Sequence, residues 1–195
     1  MAIEPEKIKI LREITSAGML DCKKALEECD GDIEKATEEL RKKGIIKAVK
    51  KMDRTATEGR LFSYIHHNGK IGVLIELNCE TDFVAKNEIF MDLGKNISMQ
   101  IAASAPQYIR PEEVPAEAIE KEREIQIATL REEGKPDNVI EKIMEGKIKK
   151  FVSEISLITQ SYVKDPKVTI DDIIKESISR LGENISVGRF IRYSL

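Results

Sequence analysis

The stretch Ile65-His66-His67-Asn68-Gly69-Lys70-Ile71-Gly72-Val73-Leu74-Ile75-Glu76-Leu77-Asn78, running straight on into Cys79-Glu80-Thr81-Asp82-Phe83, decides the fold class. Ile71, Val73, Ile75 and Leu77 alternate with Gly72, Leu74, Glu76 and Asn78, the period of a strand buried on one side. Thr57 to His66 has a similar composition, and Asn68-Gly69 between the two runs is the dipeptide that best favours a tight hairpin turn. An antiparallel hairpin is therefore predicted. The period then lengthens: Thr81 or Asp82 can cap a helix running to about Ala105, with Phe90, Leu93, Ile97 and Ile101 on one face.

On the N-terminal side, Ile8, Leu11 and Ile14 lie at helical spacing after Pro5, and Ser16-Ala17-Gly18-Met19 breaks the pattern with a glycine suited to a helix C-terminus. A second short helix fits Asp21 to Cys29. Asp30-Gly31-Asp32 is a turn whose last residue can cap a third helix, with Ile33, Ala36, Thr37 and Leu40 inward and Lys43-Gly44 as its expected end. Three short helices joined by tight turns make a compact bundle, similar to a ubiquitin-associated domain. Residues 1–40 carry 6 basic and 11 acidic side chains, whereas Arg41, Lys42, Lys43, Lys47, Lys50, Lys51 and Arg54 crowd the next fourteen positions with only Asp53 against them. The expected division is thus a three-helix domain with a basic connector over 1–54, and a core domain over 55–195.

On the C-terminal side, Pro111 opens a highly charged helix that stops near Gly134-Lys135-Pro136. In the next helix Ile140, Met144, Ile148, Phe151, Ile155, Ile158 and Tyr162 fall at spacings of four and three, the seam of a coiled-coil-like antiparallel hairpin. Asp165-Pro166 should break the chain, Thr169 to Asp172 should start a helix carrying Ile173, Ile174, Ile178 and Leu181, and Gly182 should end it. Ile185 to Leu195 reads as a strand returning to the sheet. The class is α+β, an antiparallel sheet packed with helices behind a small helical domain.

Composition narrows the function. Of 195 residues 34% are charged, yet 32 Lys and Arg nearly cancel 35 Asp and Glu, which argues against a general nucleic-acid coat. The chain starts without a signal-peptide pattern and has no apolar run long enough for a membrane span, so a soluble, cytoplasmic protein is expected. Cys22, Cys29 and Cys79 form no C-x-x-C pair, which leaves reduced thiols rather than a disulfide framework or a zinc site. Gly69-Lys70, Gly94-Lys95, Gly134-Lys135 and Gly146-Lys147 all lack the upstream glycine and the following Ser or Thr of a phosphate-binding loop. His66 and His67, the only histidines, would point to opposite faces of a strand and so could not share a metal. A thiol triad of Cys79, His66 and Asp82 has nothing to bring its members together. No catalytic residue, metal or cofactor is assigned.

One corner invites a binding role. In Thr81-Asp82-Phe83-Val84 a carboxylate adjoins a large aromatic at a strand-to-helix turn, off the face set by Phe90, Leu93 and Ile97. Either Phe83 is an exposed anchor for a partner's pocket, or it tucks into its own core while Asp82 caps the helix. Sequence pattern leaves both open.

Thr15 to Leu26, Asp30 to Ala36, Leu40 to Gly44 and Asn78 to Asn87 resemble the elongation factor Ts family, and the similarity continues through Glu145-Gly146-Lys147, Lys164-Asp165-Pro166 and Gly188-Arg189-Phe190. The resemblance is to the short form, with one core copy where long members carry two. It implies a guanine-nucleotide exchange factor for elongation factor Tu: the helical domain would dock on that partner's GTPase domain, and Thr81, Asp82, Phe83 and Val84 would enter near its magnesium ion and dislodge it. It further implies no enzymatic bond chemistry, and a homodimer that restores the second core copy, which the apolar residues on both faces of the strand Val187 to Leu195 also favour; the missing phosphate cradle, the balanced charge and the lack of a long apolar run argue against nucleotide, nucleic acid and membrane partners. Two other classes weighed against it are an adaptor or nascent-chain chaperone, which leaves 78–87 without a task, and a nucleic-acid binder using the cations of 41–54, which no aromatic interleaves.

Overall fold

A computed structural model describes residues 3–15 and 17–195; Ser16, part of the expected break after the first helix, lies outside the described residues. The elements run α1 (Pro5–Thr15), α2 (Met19–Glu28), α3 (Ile33–Val49), β1 (Glu58–Ile65), β2 (Ile71–Cys79), α4 (Asp82–Ala85), α5 (Glu88–Ser104), α6 (Ala116–Glu132), α7 (Asp137–Ile155), β3 (Ser161–Tyr162), β4 (Asp165–Thr169), α8 (Ile170–Leu181) and β5 (Ile185–Ser194). Helices and an antiparallel sheet of order β1-β2-β5 make the expected α+β class. The chain divides into two compact units, one of residues 1–62, 76–94 and 172–188, the other of 63–75, 95–171 and 189–195.

In the first unit α1 to α3 enclose Leu11, Cys22, Ala25, Leu26, Ala36 and Leu40. Each large aliphatic among them contributes about 1.5–3 kcal/mol by leaving water. Asp32 caps α3 as its sequence suggests, its Oδ1 accepting from the Lys35 amide at 3.1 Å. Three details differ. Ile14, at helical spacing from buried Leu11, is nonetheless exposed. Gly18, in extended conformation, precedes α2 as its N-cap instead of closing α1. Gly44 does not stop α3, which continues to Val49. A Cβ at Gly44 would come within 2.5 Å of Ser179 Oγ, so this glycine gives α3 room beside α8.

The same unit holds one end of the sheet, where Phe62, Leu77, Cys79, Ile185 and Val187 are buried. The rings of Phe62 and Phe90 meet with centroids 5.9 Å apart. A Cβ at Gly94 would fall 2.4 Å from the Phe62 ring; the glycine of the rejected Gly94-Lys95 motif is there for packing.

In the second unit the tips of β1 and β2 join through 66–70, with Gly69 at φ 69° and Asn68 Oδ1 accepting from the Lys70 amide at 3.0 Å. His66 and His67 belong to this turn, so strand alternation does not separate them: their rings lie edge to face, centroids 4.2 Å apart. Pro111 opens a single 3₁₀ turn, and the charged helix proper starts after Pro115. The hairpin of α6 and α7 closes over Leu130, Ile140 and Met144. Its seam ends with α7 at Ile155: Ile158 sits in a 3₁₀ turn and Tyr162 in β3.

Asp165-Pro166 does not break the chain but begins β4, which pairs antiparallel with β3. A two-stranded ribbon consists only of edges, where proline is tolerated. Gln100, fully buried on α5, holds this ribbon: its Nε2 donates to Gln160 Oε1 (3.1 Å) and the Ser161 carbonyl (3.2 Å), and its Oε1 accepts from the Val163 amide (2.9 Å).

Candidate functional site

The corner after β2 consists of two helices rather than one. The short α4 carries Asp82 to Ala85, the chain turns at Lys86, and Asn87 restarts the helix as α5 by accepting the Ile89 amide on its Oδ1 at 2.9 Å. The break sets Phe83 apart from the Phe90 face.

Thr81, not Asp82, caps α4: its hydroxyl oxygen accepts from the Val84 amide at 3.4 Å. Val84 and Ala85 turn inward and are buried, while Phe83 between them and Asp82 is 81% exposed. Of the two conformations left open by the sequence, the aromatic takes the outward one. Asp82 is also exposed and accepts a hydrogen bond from Lys86 Nζ at 2.7 Å. That bond holds its carboxyl below the usual carboxylate range, so it is charged at neutral pH. The four residues singled out in the sequence are thus contiguous, with one apolar member projecting and one buried.

Sequence reasoning missed what stands behind the corner. The Thr81 amide and hydroxyl donate to the two carboxylate oxygens of Glu183, at 3.0 and 2.7 Å. Glu80 Oε1 accepts the Asn184 amide at 2.6 Å and lies 3.6 Å from Arg54 Nη1. Glu183 and Asn184 lie more than a hundred positions from Thr81 and Glu80 in the chain, and no periodicity joins them.

It also missed a groove on the helical cluster. Ile8, Met19 and Leu20 form an apolar floor in a depression of about 430 Å³, rimmed by Lys9, Arg12 and Lys23. Met19 is 62% and Leu20 65% exposed. Their sequence signal is two adjacent large apolar residues that do not fit one helix face.

The profile of the family described as Elongation factor TS matches residues 5–195. The chain belongs to that family. Elongation factor Ts of Geobacter sulfurreducens is 56% identical over 195 residues, covering all of this chain and 90% of the relative. The protein of the same name from Carboxydothermus hydrogenoformans is 53% identical over 193 residues, 99% of this chain and 89% of its own. That of Fervidobacterium nodosum is 54% identical over 195 residues, 100% of this chain and 99% of its own.

In this elongation factor Ts chain Cys79 is not primed as a nucleophile. Burial first, then the Glu183 charge, pushes its thiol up to about 11, and the protonated Sγ donates to the Thr81 carbonyl at 3.1 Å. Three cations of the basic run have partners within the chain: Lys43 with Glu28 at 2.6 Å, Lys47 with Asp21 at 2.9 Å, and Lys51 Nζ with the Gly182 carbonyl at 2.7 Å. Among the described residues no helix is long and apolar enough to cross a membrane, and no cluster of His, Cys, Asp and Glu could hold a metal ion.

Proposed function

We propose that this chain promotes GDP release from elongation factor Tu, and so allows GTP to rebind, by docking on it and dislodging the magnesium ion beside its nucleotide. Phe83 carries the reading. A phenylalanine left 81% exposed directly before buried Val84 and Ala85 gains little for its own fold, but suits an anchor that enters a partner's pocket. Phe83 wedges into an apolar gap of the partner. Asp82, ionised, competes for the water-mediated contacts that keep Mg²⁺ in place, while Thr81 and buried Val84 hold the corner to its shape. Because Mg²⁺ neutralises phosphate charge, its loss weakens GDP binding. No covalent bond is made or broken, so the chain is an exchange factor and not an enzyme of bond chemistry.

Residues 1–54 take the docking part and 55–195 the working part. The groove over Ile8, Met19 and Leu20 supports the former, since an apolar floor with a cationic rim suits a partner helix bearing apolar and acidic side chains. By linkage, if the factor binds nucleotide-free partner more tightly than GDP-bound partner, GDP binds the factor-loaded partner more weakly by the same free energy. Cytoplasmic GTP excess then sets the direction. The decisive experiment is release of labelled GDP from elongation factor Tu with and without this chain; an unchanged rate would sink the proposal. The chain alone should bind neither GDP nor GTP, and micromolar binding by calorimetry would overturn that part.

The chain also acts as a homodimer in this reading. Leu195 N donates to the Lys70 carbonyl at 3.0 Å, which sets Tyr193 opposite Gly72 and Ile191 opposite Leu74. Ile65 joins them, its Cδ1 lying 3.1 Å from where a Gly72 Cβ would be. Ile65, Leu74, Ile191 and Tyr193 are 68, 44, 45 and 69% exposed, an apolar sheet face without cover in its own unit. A second copy, paired two-fold, would cover it and restore two cores. Sedimentation equilibrium should give about twice 22.1 kDa; a fully active monomer would reject the dimer.

A further inference from the structure

Phe83 and Asp82 ride on a helix of four residues, which cannot fix its own direction, because so short a helix closes too few hydrogen bonds to offset its ordering. Its aim is set from outside, at Thr81. That residue is held on every polar atom. Its amide donates to Glu183 Oε2 at 3.0 Å and its hydroxyl to Glu183 Oε1 at 2.7 Å. The carbonyl accepts from Cys79 Sγ at 3.1 Å and from the Ala85 amide at 3.2 Å, and the hydroxyl oxygen accepts from the Val84 amide.

Glu183 is itself fixed on both sides. Gly182 ends α8 at φ 81°, a conformation that strains any residue with a Cβ, and its carbonyl accepts from Lys51 Nζ. Buried Asn184 donates through Nδ2 to the carbonyls of Met52, at 3.1 Å, and Arg54, at 2.6 Å. Its amide donates to Glu80. The loop 182–184 therefore ties the chain leaving α3 to the residues that start the corner. A carboxylate is the right group for the central bond, since one planar anion accepts an N–H and an O–H together; a carboxamide turns an NH₂ against one of those donors.

We propose that Glu183 is a positioning residue for nucleotide exchange: by accepting both donors of Thr81 it fixes the direction in which Phe83 and Asp82 are presented to the partner. The inference rests on the reading that this corner acts on elongation factor Tu. It predicts a separation between rate and docking. Glu183→Gln should lower the maximal rate of GDP release several-fold at saturating factor, while the half-saturating concentration stays within about twofold, because the groove on α1 and α2 is untouched. Thr81→Val should behave alike, Thr81→Ser should restore the rate, and adding Glu183→Gln to Thr81→Val should cost little more, since both sever one link.

The free protein supplies a second readout. In Glu183→Gln the Val84 and Ala85 amides should exchange with solvent faster, while those of α1 to α3, α5 and α8 keep their protection. A normal maximal rate for Glu183→Gln beside a slow Phe83→Ala control would overturn the positioning role. Loss of protection spread through α8 and β2 would also overturn it, by making Glu183 a general stabiliser. If Phe83→Ala is itself as fast as the parent, the reading of the corner fails, and this inference with it.

Discussion

The helical cluster and the corner both offer large apolar side chains to solvent, yet they hold them by opposite means. Met19 and Leu20 are backed by a hydrophobic interior, Leu11, Cys22, Ala25 and Leu26, all fully buried. Phe83 is backed by polar bonds that converge on Thr81. Packing is non-directional and yields a broad surface suited to affinity. Hydrogen bonds are directional and fix the orientation of a single side chain. The cluster should therefore govern how tightly the partner is held, and the corner how fast it changes state.

The hardest blow to that contrast is struck in the core of the cluster. Leu26→Ala should destabilise the three helices by about 2–5 kcal/mol, the range for emptying a fully buried aliphatic site. Urea titration followed by amide signals of α1 to α3 would measure it. The comparison breaks if the amides of α4 are exposed in the same transition, for then the corner depends on the cluster's packing.

Removing surface groups should sharpen the contrast. Met19→Ala with Leu20→Ala should raise the half-saturating concentration in GDP release by roughly tenfold or more, as for paired truncations in an interface centre, and leave the maximal rate nearly unchanged. Phe83→Ala should do the reverse, lowering the maximal rate at least several-fold. Its melting curve should stay within about 0.5 kcal/mol of the parent, because the ring is 81% exposed. Identical kinetic signatures from the two variants would refute the division of labour.

How far the sequence reveals this arrangement depends on the range of the interactions. Alternation in β2, the Asn68-Gly69 turn and the Asp32 cap are set by neighbours in the chain, and each stands where its residues place it. Gly44 misleads because helix stops and close helix contacts both select glycine, and only Ser179, far along the chain, separates the two. The strand at Asp165-Pro166 is hidden for a similar reason: its partner is a two-residue strand with an irregular register. At the corner the exposed aromatic is visible as an off-pattern residue, whereas Glu183 has no local mark. A clamp built across 102 positions of chain leaves no periodic trace.

The smallest expected effect concerns charge at the corner. Lys86 donates to Asp82 at 2.7 Å and holds its carboxyl below the ordinary value of 3.8. A folded pKa that is depressed means the pair contributes fully above the unfolded pKa and is lost only as pH falls through the folded one. Across about pH 6 to 8 Asp82 is therefore ionised with or without its lysine, since even an unperturbed carboxyl titrates well below that window. Lys86→Met should raise the Asp82 pKa toward its ordinary value in a carbon-detected NMR titration. It should change neither the melting curve measurably, because the pair is solvent-exposed, nor the pH profile of GDP release across that window. A rate in Lys86→Met that rises with pH through the neutral range, together with a matching Asp82 titration, would mean that the lysine is needed to keep the corner charged; the ion pair would then belong with Thr81 and Glu183 among the groups that prepare the corner for its partner.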